Sequence, residues 1–459
     1  MEHQNVWLSY EKEDQEKLQV LCEKYKQYLD WGKTERECIR YTIRLAKEAG
    51  YRDIKEVIRN REVLEPGDRV YVMNMEKAVV LFQIGRKGLE EGMNILGAHI
   101  DSPRIDVKQN PLYEQDSFAY LDTHYYGGIK KYQWVTTPLA IHGTVVKKDG
   151  TAVKVCIGER EEDPVFVITD ILVHLSARQM EKKASEVIEG EKLDLLIGNC
   201  PIPEEKEDAV KKNILRLLEE SYGIEEEDFY SAELEIVPAG KARDCGFDRS
   251  MILGYGQDDR ICAFTSLEAM LAMQKTDKTL CCLLVDKEEI GSVGATGMAS
   301  RFFENAVAEL VALTEGESEL KVRRALQNSR MLSSDVSAAY DPMFAEVFEK
   351  RSAAFFGRGM SFNKFTGSRG KNGSNDANAE FIADIRRIMD EAKTAYQFAE
   401  LGRVDVGGGG TIAYLTANYG MEVIDSGVAV LNMHAPYEVS SKADIYEAVK
   451  GYCAFLKNA

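Results

Sequence analysis

Four apolar runs spread along the chain each break off in His, Asp or Glu. "MNILGAHID" ends in His99 and Asp101, "TLCCLLVDKEE" in Glu288 and Glu289, "RMLSSD" in Asp335, and "AVLNMHAPYE" in His434 and Glu438. Between them, "GYGQDDR" sets Asp258 and Asp259 just ahead of a helical stretch. A short continuous apolar run suits a strand buried on both faces, and such strands belong to sheets covered by helices on both sides. Residues just past the carboxyl ends of parallel strands face a common crevice, so the five termini form one connected hypothesis.

The remaining texture supports an α/β domain interrupted by a second one. "TERECIRYTIRLAKEAG" is a helix with a capping box at Thr34 and Glu37 and a stop at Gly50, and "RVYVMNMEKAVVLFQIG" alternates like a hairpin. From about 110 to 246 the pattern changes. "YQWVTTPLAIHGTVVKKDGTAVKVCIG" holds two alternating strands around Lys-Asp-Gly, "PVFVITDILVHL" adds a third, and "ARQMEKKASEVI" and "KEDAVKKNILRLLEESYG" follow as charged helices. Strands and helices then alternate again, including the amphipathic helix "NAEFIADIRRIMDEAKTAY". The expected organisation is a discontinuous domain, 1–109 and 247–459, around a β-rich insertion at 110–246. A chain of 459 residues also exceeds what one hydrophobic core usually serves.

Composition bounds the partners. Lys plus Arg number 58 against 76 Asp plus Glu, a net charge of −18, which argues against nucleic acid and anionic membrane. No run approaches the roughly 20 apolar residues needed to span a bilayer, and "MEHQNVWLSYEKEDQEK" lacks the pattern of a signal peptide. A cytoplasmic location is expected. The nine cysteines, with Cys281 and Cys282 inside an apolar run, then read as reduced, buried hydrophobes.

Taken singly, the polar termini have ordinary explanations. A lone strand-end histidine is usually structural, Asp258 could cap a helix, and Glu288 and Glu289 could be solvated. Together they are harder to dismiss, because two of only six histidines occupy these ends. Two imidazoles and three carboxylates without a thiolate suit a pair of Zn²⁺ ions, with Co²⁺ or Mn²⁺ as substitutes. One bridging carboxylate between metals about 3.5–4 Å apart leaves each two further ligands. The Glu288-Glu289 doublet can supply one ligand and one general base, and Asp101 can orient the ring of His99.

The blocks "GAHIDSP", "QDDR", "DKEEIGSVGATG", "SSDVSAAYDP" and "NMHAPYE" resemble those of the aspartyl aminopeptidase and vacuolar aminopeptidase I family of co-catalytic zinc exopeptidases. The resemblance runs in order from about residue 15 to the C-terminus and is weakest through the insertion. It implies a three-layer α/β/α catalytic domain interrupted by a smaller β-rich dimerisation domain, with dimers assembling into dodecamers. It implies that His99, Asp258 and Asp335 hold one zinc and Asp258, Glu289 and His434 the other, with Glu288 as general base and Asp101 in support. "GRGMSFNKFTGSRGKNGSND" resembles the segment carrying a substrate-recognising lysine in members specific for acidic residues, with Lys364 as its counterpart. By the same resemblance His174 reaches a neighbouring subunit's active site to stabilise the oxyanion. "VDVGGGGTIA" lacks the pattern of a phosphate loop and fits a segment whose backbone meets substrate, at Gly409 and Gly410. His124 and His142 read as structural, and His3 lies in a loose terminus.

The expected function is therefore a dizinc aminopeptidase that removes an acidic or neutral N-terminal residue from peptides by a metal-activated water. Another dizinc amidohydrolase, such as a carboxypeptidase or deacylase, and a non-catalytic metal-binding assembly protein are the alternatives.

Overall fold

The computed structural model describes residues 4–459, so His3 lies outside the described residues. The chain forms two compact units, one built from the residues up to Asp101 with Ala242–Met433 and Glu438–Ala459, the other from Ser102–Lys241 with His434–Tyr437.

The first unit is organised by a nine-stranded sheet among the described residues. Its strands are β1 (Arg52–Asp53), β2 (Arg69–Asn74), β3 (Ala78–Gln83), β4 (Met93–His99), β5 (Thr279–Val285), β6 (Arg330–Ser334), β7 (Met360–Asn363), β8 (Tyr396–Ala399) and β9 (Glu422–Gly427). They lie in the order β1-β2-β3-β5-β4-β6-β9-β7-β8. The expected hairpin is β2 paired antiparallel with β3. The four central strands β5, β4, β6 and β9 are mutually parallel.

The apolar runs are explained by two-sided burial. Along β5, Leu280, Cys282 and Leu284 enter one core, while Cys281, Leu283 and Val285 enter the other. Adjacent cysteines therefore point to opposite faces, and all nine cysteines are free. The first core is covered by α1 (Lys12–Trp31), α2 (Glu35–Glu48), α3 (Gln257–Ala272), α4 (Ala379–Glu391) and α5 (Lys442–Asn458). The second is covered by helices Phe302–Glu315 and Glu319–Gln327. This is the three-layer α/β/α arrangement. The capping box forms as expected, Glu37 N–H donating to Thr34 Oγ1 and Thr34 N–H to Glu37 Oε2.

The second unit carries a six-stranded antiparallel sheet among the described residues, including Leu139–Val146 and Ala152–Ile157 around the Lys-Asp-Gly turn. Two expected elements are corrected there. "PVFVITDILVHL" is not a strand: it makes only isolated bridges at Phe166 and Val167 before a short turn at Val173–Leu175. Leu172, Val173 and Leu175 are exposed, so no sheet face receives them. "ARQMEKKASEVI" is helical only over Ala177–Met180. No residue of that short helix is buried, Met180 being exposed, and a short helix without tertiary packing is marginal. No helix among the described residues is long and apolar enough to cross a membrane.

Phe264 on α3 is fully buried, with its ring 5.2 Å from that of Tyr25 and 5.6 Å from that of Tyr28. Replacing it with alanine should cost about 3–5 kcal/mol of stability. The urea midpoint measures this, and an unchanged midpoint would contradict the packing described.

Candidate metal centre

Strand register alone brings three chemistry-bearing segments to one level. His99, the last residue of β4, lies opposite Val285, the last of β5. Immediately past β5 come Glu288 and Glu289, in a single turn Glu288–Ile290. On the other side of β4, Ser333 of β6 lies opposite Gly97, so Asp335 follows two residues later at the height of His99. Its backbone N–H donates to Ser426 O at 2.8 Å, fixing the end of β6 against β9.

Asp258 comes from the start of α3. The N-cap there is Gly256 and no side chain caps the helix, so capping is not what Asp258 does. Its φ and ψ of −81° and 110° and those of Asp259 depart from helical values, and the peptide between them is cis. Asp258 N–H donates to Glu438 Oε2 at 3.0 Å, tying this turn to strand Glu438–Ser441.

Around His99 the distances are short. Nδ1 lies 3.0 Å from Asp101 O and 3.2 Å from Asp101 Oδ1, which leaves Nε2 facing the other acids. Nε2 is 3.4 Å from Asp258 Oδ1, 3.8 Å from Glu288 Oε2 and 3.9 Å from Asp335 Oδ1. Asp101 also accepts the backbone N–H groups of Glu288 and Glu289, each at 3.1 Å. One fully buried carboxylate thus braces the end of β4 and the turn after β5.

Three sets of side chains could each grip a cation, with ligand atoms within 4.8 Å of one another: His99, Asp258 and Asp335; Asp258, Glu289 and His434; and His99, Glu288 and Glu289. His434 sits in the loop between strands Ala429–Leu431 and Glu438–Ser441, and its Nδ1 faces Gly128 O at 2.8 Å. The first two sets share Asp258.

The electrostatics fit a divalent cation. Burial pulls the pKa of His99 down, but Asp101, Asp258 and Glu288 override it and hold the imidazole well above its ordinary range. Burial drives the Asp335 carboxyl well above its ordinary value, and Asp259, Glu288 and Asp258 push it further while His99 opposes them. Asp259, fully buried, is raised in the same sense, first by burial and then by Asp258. At an effective dielectric of about 20, two like charges about 4 Å apart repel by about 4 kcal/mol. A single imidazolium cannot balance several such pairs. A doubly charged ion held by imidazole and carboxylate can, and zinc takes this donor set.

The other expected residues are placed as follows. Lys364 follows β7, is exposed, and has its ammonium 3.9 Å from Asp376 Oδ1. Gly409 and Gly410 lie in the loop before the short helix Ala413–Ala417. His174 is exposed in the second unit, on the turn Val173–Leu175. His124 packs on Tyr125, with ring centroids 5.4 Å apart, and His142 Nε2 pairs with Glu159 at 3.1 Å. Sequence reasoning missed Arg260 and Asp425. Arg260 is completely buried and donates from Nε to Ile100 O at 3.2 Å and from NH2 to Lys33 O at 2.9 Å. It thereby holds the carbonyl between His99 and Asp101. A signal was available for Asp425, since "EVIDSG" is another apolar run that turns polar.

Asp101→Asn should weaken zinc affinity about 10–100-fold, because the brace on His99 and on the Glu288 turn loses its charge. Competition against a chromophoric chelator measures it, and wild-type affinity would remove Asp101 from the positioning role.

Comparison with known proteins shows the family. The family model described as aminopeptidase I zinc metalloprotease (M18) matches residues 28–456. A probable M18 family aminopeptidase 1 from Clostridium acetobutylicum is 60% identical over 458 residues, covering 100% of this chain and 98% of the relative. The crystal structure of aminopeptidase I from the same organism superimposes with a TM-score of 0.94 at 58% identity, covering 100% of both chains. An M18 aminopeptidase from Thermotoga maritima gives 0.95 at 42% identity, also over 100% of both. A dodecameric mApe1 from S. cerevisiae shares the fold at 19% identity, with a TM-score of 0.77 over 96% of this chain and 97% of that one. The chain belongs to the aminopeptidase I zinc metalloprotease (M18) family and is a metallo-aminopeptidase.

Proposed function

We propose that the centre holds two zinc ions and removes the N-terminal residue from peptides with a free amino terminus. The observation that carries this reading is that two candidate ligand sets, His99-Asp258-Asp335 and Asp258-Glu289-His434, share one carboxylate. Asp258 would bridge, and the remaining four residues would complete two separate coordination sets. Zinc, when bound, polarises the scissile carbonyl and makes water a stronger acid.

The chain supplies the rest. Asp101 fixes His99 through Nδ1, so that Nε2 faces the centre. With Glu289 in the shared pair of ligand sets, its neighbour Glu288 remains for proton transfer. It takes a proton from the attacking water and delivers it to the departing amine, as a carboxylate near the reacting atoms can. Asp101 holds the backbone of both glutamates, which supports a fixed division of roles between them.

Substrate selection belongs to the segments around the centre. Lys364 would meet an acidic side chain of the N-terminal residue, and Gly409 and Gly410 would let peptide backbone approach closely. A neutral N-terminal residue is equally compatible with an exposed Lys364 that shares Asp376 with Lys371. The second unit would serve as the dimerisation domain. Support comes from Ile171, Leu172, Val173, Leu175 and Met180, which expose 46%, 55%, 75%, 68% and 72% of their surface close together in sequence. His174 lies within this stretch and would act across the interface on the oxyanion. Dimers would build a dodecamer like that of the yeast relative. Cytoplasmic location, and the absence of nucleic-acid or membrane partners, follow from the charge and composition.

Glu288→Gln should retain both zinc ions and lower kcat about 10²–10⁴-fold. Zinc analysis beside steady-state kinetics reads both quantities, and a near-normal rate would take Glu288 out of the mechanism. Aminoacyl fluorogenic substrates offered with free and with acetylated amino groups provide a second test. The free forms should be cleaved and the acetylated ones refused; cleavage of the blocked forms would favour a deacylase or another amidohydrolase. The same panel ranks acidic against neutral residues.

A further inference from the structure

The glycine run at 407–410 divides into two halves with different causes. A Cβ on Gly407 would lie 1.9 Å from Leu401 O, and one on Gly408, where φ is +129°, would lie 2.5 Å from Gly367 O. The fold's own packing demands glycine at these two positions. At Gly409 the nearest atom would be Leu401 Cδ2 at 3.5 Å, and at Gly410 it would be Gly373 O at 3.9 Å, both ordinary contacts. Packing within the chain therefore demands glycine at the first pair and does not demand it at the second.

The run is tied down at its far end by a buried carboxylate. Thr411 Oγ1 donates to Asp425 Oδ1 at 2.6 Å and accepts the Ala413 N–H at 3.2 Å. Asp425 is 3% exposed on β9, opposite Ser333 of β6 on one side and Asn363 of β7 on the other. Two residues beyond Ser333 is Asp335; one beyond Asn363 is Lys364. Ile412, next to Thr411, lies against β4, where a Cβ on Gly97 would meet its Cδ1 at 3.5 Å, two residues before His99. The loop after Lys364 is fastened to the same strand, Asn375 Nδ2 donating to Val423 O at 2.6 Å. Burial pushes the Asp425 carboxyl up to about 7 against the Thr411 and Ser333 hydroxyls, and the charge of Glu288 adds to the rise. Asp425 thus ties the residue after Gly410 to the strand whose neighbours lead directly into Asp335 and Lys364.

We infer that Asp425 is a positioning residue: through its hydrogen bond to Thr411 it holds Gly409 and Gly410 as a fixed backbone edge beside the strand ends that carry Asp335 and Lys364, against which the N-terminal residue of the substrate lies. This rests on the reading of the centre as an aminopeptidase site. A loop with four glycines has large conformational freedom, and a single latch beyond them removes much of it before substrate arrives.

A double-mutant cycle tests the latch. Thr411→Val keeps the shape of the side chain and removes the donor; Asp425→Ala removes the acceptor. Each should lower kcat/KM about tenfold, mainly through a rise in KM, with zinc content unchanged. The double variant should be no worse than the more damaged single one, and Thr411→Ser should restore the wild-type values. Backbone amide hydrogen exchange at residues 407–411 should quicken in Thr411→Val and Asp425→Ala. Additive losses, or wild-type KM in Thr411→Val, would overturn the inference. If Asp425→Ala does not fold, Thr411→Val against Thr411→Ser decides alone. The exchange measurement reads the latch even if the chain cleaves no peptide, so unchanged exchange sinks the latch, whereas a chain without aminopeptidase activity sinks the proposed function instead.

Discussion

The register of four parallel strands is the constraint on which the rest depends. Because β5, β4, β6 and β9 run the same way and end at one height, residues distant in sequence reach a common level without any long side chain having to bridge a gap. A slip of one residue in β4 would turn His99 to the opposite face of the sheet and exchange its apolar neighbours between the two cores. Both cores resist that slip, since Ile95 belongs to one and Leu96 to the other. Packing of β4 into both cores therefore holds the register on which the site depends.

The polar contacts act at a second level, by converting coarse register into fixed geometry. Asp101 joins the ends of β4 and β5, and Glu438 joins the start of α3 to the strand that follows His434. These bonds use backbone N–H donors, whose positions are set by the fold and which carry little side-chain entropy. The cost of the arrangement is the crowding of acids. Asp286, just before the glutamate turn, is pushed up to about 6 by burial, Glu35 and Asp101, so the strain of concentrated negative charge extends behind the centre. Such a cluster spends folding stability to favour a cation, as strain stored at functional sites generally does.

Much of the first unit was legible because its signals are local and its strands are buried on both faces. Apolar runs ending in His, Asp or Glu marked β4, β5 and β6, and the capping box at Thr34 and the β2–β3 hairpin formed as read. Reading failed where apolar residues serve no core. Ile171 to Leu175 have strand-like composition but are exposed, and the stretch after Ala177 has helical composition but its short helix buries no residue. Composition alone cannot distinguish a residue waiting for a sheet from one left at the surface. The supporting residues were hidden for another reason. Asp425 acts through Thr411, fourteen positions away, and Arg260 acts through the carbonyl of Ile100; neither pairing has a spacing that a local pattern could reveal.

Arg260 shows how the chain fixes the spacing of candidate ligands with its own side chains. It lies two residues after Asp258, yet its guanidinium turns back into the protein, where its charge sits over the Tyr255 ring at 5.2 Å. Burying a guanidinium is expensive unless its donors are paired, and here Nε and NH2 are spent on backbone carbonyls at Ile100 and Lys33 while NH1 stays without a hydrogen bond among the described residues. The first of those carbonyls belongs to the peptide that separates His99 from Asp101. The helix carrying Asp258 and the strand carrying His99 are thus linked directly beside those two residues. A lysine could reach only one of the two carbonyls with comparable geometry, because a single ammonium lacks the planar fork. The link is completely buried, Arg260 having no exposed surface, so it can stay rigid whatever the exposed segments around the centre do.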